Sequence, residues 1–140
     1  MLTSMDATTW YGSQSEFETA AFGALSLIEP LIQKIDLVNI INQHLPVDDQ
    51  AEFDHGSILS LLVAARVYSP VALSNVPQWA EQSGADVLFG IPANKLNDDR
   101  LGRSLDAFFA QRHSILASLA LHVASKFGIE LSRVHYDPTH

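Results

Sequence analysis

The segment Ile58 to Val67 constrains this chain more than any other. Ile58, Leu59, Leu61, Leu62, Val63, Ala64, Ala65 and Val67 leave almost no polar face, and a helix that is apolar around most of its circumference has to be surrounded by other elements. Whatever the architecture, this helix is expected at its centre. His55 and Gly56 open it, with His55 read as an N-terminal cap, and Ser69-Pro70 ends it because the residue before a proline is pushed out of the helical region.

Shorter amphipathic pieces flank this segment. Met1 to Ser15 shows no periodicity and reads as a mobile leader, with Trp10 and Tyr11 able to dock. Ser26-Leu27-Ile28-Glu29 has capping-box spacing, with Pro30 still in the first turn, so a short helix to about Ile35 is expected. Asp36 is placed to cap a second helix carrying Leu37, Val38, Ile40, Ile41 and Leu45, which ends before Pro46. Val47 to Asp54 is an acidic loop. Ser74 caps a helix with Val76, Trp79 and Ala80 that Gly84 closes, and Asp86 to Gly90 makes another turn or two. Asn97 or Asp98 caps a helix whose Leu101, Leu105, Phe108 and Phe109 form one apolar stripe, with Asp99 and Arg103 as an i, i+4 pair on its charged side. A separate last helix, from about Ser114 to Phe127, repeats Ile115, Leu119, Val123 and Phe127 and stops at Gly128. Trp79, Phe89, Phe108 and Phe109 sit at core spacing. The fold class expected is mainly α, a compact helical bundle.

The chain's final stretch departs from that pattern. Leu131 to Thr139 reads as a β-strand, with Val134 and Tyr136 in it and a turn-forming Asp137-Pro138 at its close. A lone strand cannot satisfy its backbone groups, so the expectation is that a sheet domain begins here. The organisation read from the sequence is a flexible leader over 1–20, a helical domain over 21–128 and the first strand of a further domain over 129–140.

Charge is divided unevenly. The net charge of −8 argues against a generic phosphate binder. Residues 1–55 hold nine acids and one base, Lys34, whereas residues 56–140 hold seven of each. Any nucleic-acid contact is therefore expected from the second half, and the acidic half is expected to face protein or solvent. The absence of cysteine excludes a disulfide framework and thiolate zinc sites. No apolar run reaches the roughly eighteen residues of a membrane span, and the start lacks the features of a secretory signal. A cytoplasmic location follows as the default expectation.

Three blocks of this sequence resemble the N-terminal region of bacterial insertion-sequence transposases of the DDE type. They are His55-Gly56 opening the apolar helix, the run Leu96-Asn97-Asp98-Asp99-Arg100-Leu101-Gly102-Arg103-Ser104-Leu105-Asp106, and His135-Tyr136-Asp137-Pro138-Thr139. They stand in the family's order, and the resemblance extends from about Gly23 to the end; the middle block is its most specific part. It implies that the terminal strand starts an RNase H-like catalytic core. It also implies that Asp137 is the first of three acids that bind magnesium for phosphodiester transfer. On spacing alone, Asp137 reads first as an Asp-Pro turn, and the resemblance is what turns the reading toward a catalytic acid. With one acid of three in this sequence, the chain by itself is expected to be catalytically inactive and to need no cofactor.

The candidate DNA contacts are Arg100, Arg103, Arg112 and Lys126, with Arg66 and Arg133 beside them, directed at the transposon's terminal inverted repeats. Asp99 and Asp106 are interleaved with them, so a salt-bridged face is the competing reading. The six histidines show no ligand spacing, and no phosphate-binding glycine loop or nucleophile elbow is present. The function expected is a contribution to DNA transposition through transposon-end binding or homodimerisation, without membrane association. The alternative is a helical protein-interaction module that binds no DNA.

Overall fold

The apolar helix at Ile58–Val67 organises the molecule. The computed structural model describes residues 14–68 and 70–129. Six α-helices follow one another among the described residues: α1 Gln14–Lys34, α2 Leu37–His44, α3 His55–Tyr68, α4 Val76–Ser83, α5 Ala85–Phe89 and α6 Asp98–Phe127. Single 3-10 turns lie at Leu73–Asn75 and Ala93–Lys95, and no strand occurs among the described residues. The expected strand around Asp137 lies outside them.

Helix α3 packs against α1, α2, α4, α5 and α6. Ile58, Leu59, Ser60, Leu61, Ala64 and Ala65 are buried, and what remains is a narrow exposed strip of Val63, Arg66 and Val67. Around α3 the core is completed by Leu25 and Ile32 of α1, Leu37, Ile40 and Ile41 of α2, Val76, Trp79 and Ala80 of α4, and Leu101 and Ile115 of α6. The central placement read from the missing polar face is what the structure shows.

Helix α1 corrects the sequence reading at its start. It begins at Gln14, inside the expected leader, and Ser26-Leu27-Ile28-Glu29 lies in its interior. In the sequence, Phe17, Ala21, Leu25, Ile28 and Ile32 stand at helical spacing, a stripe that outweighs the weaker capping signal. The Ser26 hydroxyl donates to the Gly23 carbonyl at 2.7 Å, a bond back along the helix instead of a cap. Pro30 is tolerated on the exposed side. Asp36 separates α1 from α2 by adopting a left-handed conformation, φ 58°, and makes no capping bond. Its carboxylate accepts from Asn39 Nδ2 at 2.7 Å, a local bond of the kind that lets Asp occupy this region.

The two helices expected between Asn97 and Phe127 are one. α6 runs for 30 residues, about 45 Å at 1.5 Å per residue. Ala110-Gln111-Arg112-His113 contains neither Gly nor Pro, so nothing in the backbone interrupts the ladder. Asn97 Oδ1 accepts from the Arg100 backbone N–H at 2.8 Å, Asp98 and Asp99 occupy the positive end, and Gly128 ends the helix at φ 68°. Phe109 is not a core residue: 63% of it is exposed, and the Arg112 guanidinium lies 3.9 Å from its ring centroid.

Candidate functional site

Two of the blocks that carry the transposase resemblance meet in space. His55 Nδ1 lies 2.8 Å from the hydroxyl of Ser104, a residue buried at the first turns of α6. A second link of the same type joins His44 Nε2 to Ser118 Oγ at 2.8 Å. Together they fasten α6 to the corner where α2 ends and α3 begins.

That corner is built from the backbone outward. Asp54, not His55, caps α3: its Oδ1 accepts from the Ser57 N–H at 2.6 Å and from Asn42 Nδ2 at 3.1 Å. Asn42 Oδ1 accepts from the Gly56 N–H at 2.8 Å, so one amide holds both the cap and the first turn. A side chain at Gly56 would run into the Val38 carbonyl oxygen and the Asn42 amide, so glycine is required by the close approach of α2 and α3. Burial pushes the Asp54 carboxyl up, but the bonds from Ser57 and Asn42 outweigh it and hold the group below its ordinary value of 3.8.

A carboxyl whose folded value is depressed favours the folded state above its unfolded value, and that contribution is lost as pH falls through the lower folded value. Asp54→Ala is therefore expected to cost about 1 kcal/mol at neutral pH, the usual worth of such a cap. It is also expected to flatten the loss of stability below pH 3.8. Urea midpoints recorded across the acid range check both; a variant that tracks the parent at every pH contradicts the capping role.

The candidate DNA contacts do not form one open basic surface. Arg100 Nη2 lies 3.3 Å from Glu52 Oε2, which also meets Lys95 Nζ at 3.3 Å. Its guanidinium stacks 5.1 Å from the centroid of Phe53. Arg100 thus ties the acidic loop to the start of α6. Arg103 pairs with Asp99, as the i, i+4 spacing anticipates. Arg112 Nη1 donates to the Phe109 carbonyl at 2.7 Å while stacking on that ring. Lys126 is exposed and has no ion pair among the described residues. Asp137 lies outside the described residues, as does Arg133. Among the described residues no group of three His, Cys, Asp or Glu could hold a metal ion, and no single helix is long and apolar enough to cross a membrane.

The sequence reading missed a groove of about 500 Å³ between α3 and α6, walled by Leu62, Val63 and Arg66 on one side and Leu105, Phe108 and Leu116 on the other. The exposed strip of α3 signals it: two valines stand at the solvent edge of a helix that is otherwise buried.

The family model described as a domain of unknown function, DUF4277, matches residues 17–121. This chain belongs to the DUF4277 family. The α2–α3 corner, the His55–Ser104 contact and the α3–α6 groove all lie within the matched span of this chain. No curated protein and no solved structure matches the chain. The description of DUF4277 names no activity.

Proposed function

We propose that this DUF4277 domain is the helical N-terminal region of an insertion-sequence DDE transposase. In that role it joins protein to protein through the α3–α6 groove, more than it reads transposon ends. The observation that carries the reading is the disposition of its cations. Arg100, Arg103 and Arg112 are each engaged within the fold, while an apolar groove stands open beside them. Guanidinium groups already paired with carboxylates have to give up those partners before they can neutralise phosphates. Groups that bind phosphate as their main task are instead held free on a basic face. Asp137 and the magnesium chemistry implied by the resemblance belong to this reading through the sequence alone.

Titration of the chain with its flanking inverted-repeat DNA at several salt concentrations tests it. Replacing both Arg100 and Arg103 with Ala is expected to lower stability by about 1 kcal/mol through lost pairing and stacking, with no change in the salt dependence of any DNA retention. Should the slope flatten by about two units, near 0.9 for each phosphate no longer neutralised, these arginines touch DNA and the end-binding role replaces assembly. If the chain pairs with protein but ignores DNA under every condition, the simpler interaction-module reading stands and the link to transposition falls.

A further inference from the structure

We propose that α6 is a self-pairing seam: two copies of this chain lie antiparallel along their α6 helices, on a two-fold axis passing at Leu116, and each helix seats in the other copy's α3–α6 groove. This deepens the assembly reading above, on which it rests, by naming the partner and its register.

The first support is the spacing of one helix face. At 3.6 residues per turn, Leu105, Phe109, Arg112, Leu116, Ala120, Val123 and Phe127 share a side of α6. Counted from Leu116, they stand 4, 7 and 11 residues away in both directions. An isologous contact demands this symmetry, because residue i must meet j where j meets i. Antiparallel pairing about Leu116 sets Leu105 opposite Phe127, Phe109 opposite Val123, and Arg112 opposite Ala120. The last pair matches the longest side chain on the face with the smallest. The Arg112 guanidinium is already bonded to the Phe109 carbonyl, so its stem can line the seam as apolar surface.

The second support is area. Phe109, Leu116 and Phe127 are 63%, 52% and 46% exposed. Val63 and Leu73 of the groove, and Val67 one turn beyond Val63, are exposed as well. With a full aromatic side chain worth about 150–250 Å² and Leu or Val somewhat less, these six offer on the order of 500 Å² in each copy. Two copies covering them bury about 1,000 Å², where specific interfaces begin, before any polar rim is added. Among the described residues no acid lines the groove, so their share of the net charge of −8 does not concentrate its repulsion on this face.

The chain contains no cysteine, so single thiols can be placed in the full-length protein and oxidised at low concentration. Leu116→Cys is expected to give a disulfide-linked dimer, because helices in contact bring residues on such an axis within the roughly 4.4–6.8 Å Cα separation a disulfide spans. Leu121→Cys, 60% exposed on another side of α6, is expected to stay unlinked. Arg112→Cys and Ala120→Cys are expected to link to each other when mixed, but not to themselves. Light scattering should show the unmodified chain as a dimer and Leu116→Glu as a monomer with unchanged helical circular dichroism. A dimer that links through Leu121→Cys and not through Leu116→Cys overturns the seam, as does an unmodified chain that is monomeric at every concentration. The assembly reading is judged separately: it falls if the arginine substitutions flatten the DNA salt slope, whatever the thiols do.

Discussion

Gly56→Ala is expected to cost about 3 kcal/mol, the upper range for forcing an atom into a packed contact. The added Cβ would meet the Val38 carbonyl oxygen, which is backbone and cannot swing aside, and the Asn42 amide. Two responses are open to the protein. If α2 backs away, the packing of Leu37 and Ile41 in the core they share with α3 is loosened. If Asn42 turns away, the Gly56 N–H and the Asp54 carboxylate both lose a partner. Gly102 supplies the contrast, since a Cβ there meets nothing within 4 Å. Gly102→Ala is expected to stabilise α6 by about 0.5–1 kcal/mol, because glycine in a helix interior loses more backbone entropy on folding. Denaturant midpoints of the two variants should move in opposite directions. A Gly56→Ala protein as stable as its parent would mean that α2 and α3 are not in close approach.

The parts legible in the sequence were those decided by neighbours in the chain. The capping of α6 by Asn97, its stop at Gly128, the closing role of Gly84 and the Asp99–Arg103 pair depend on interactions within a few residues, and each is present. The centrality of α3 was legible because an apolar circumference admits one solution. What escaped depends on distant residues. Arg100 looks like a free cation until folding brings in Glu52, 48 positions earlier. Nothing near His55 announces Ser104, 49 positions later. Phe109 has core spacing and is nevertheless exposed, because periodicity assigns a residue to a face and cannot say whether another element covers it. The start of α1 was missed for a local reason: a capping motif at Ser26 competed with a longer stripe, and summed burial over several turns outweighs one cap.

Leu61→Asp is expected to abolish the folded state, whereas Leu62→Asp leaves a folded and weakened protein. The sequence treats these neighbours alike, since both belong to the same apolar run. The structure separates them: Leu61 is fully buried at the centre of the bundle, while Leu62 is half-buried and forms part of the groove wall. A carboxylate at position 61 has no solvent and no cation within its element's buried face. The penalty for an unpaired buried charge, several kcal/mol even after the group neutralises itself, is comparable with the whole stability of a domain of this size, about 5–15 kcal/mol. At position 62 the carboxylate can turn into the open groove and stay hydrated, and the cost falls to about 1–2 kcal/mol of forgone apolar burial. Circular dichroism with thermal melting resolves the two, the first variant showing no cooperative transition and the second a lowered one. Equal melting of both would remove α3 from the centre of the fold. Light scattering on the Leu62→Asp protein adds an independent reading, because a charge on the groove wall should shift the chain toward monomer even where the fold survives.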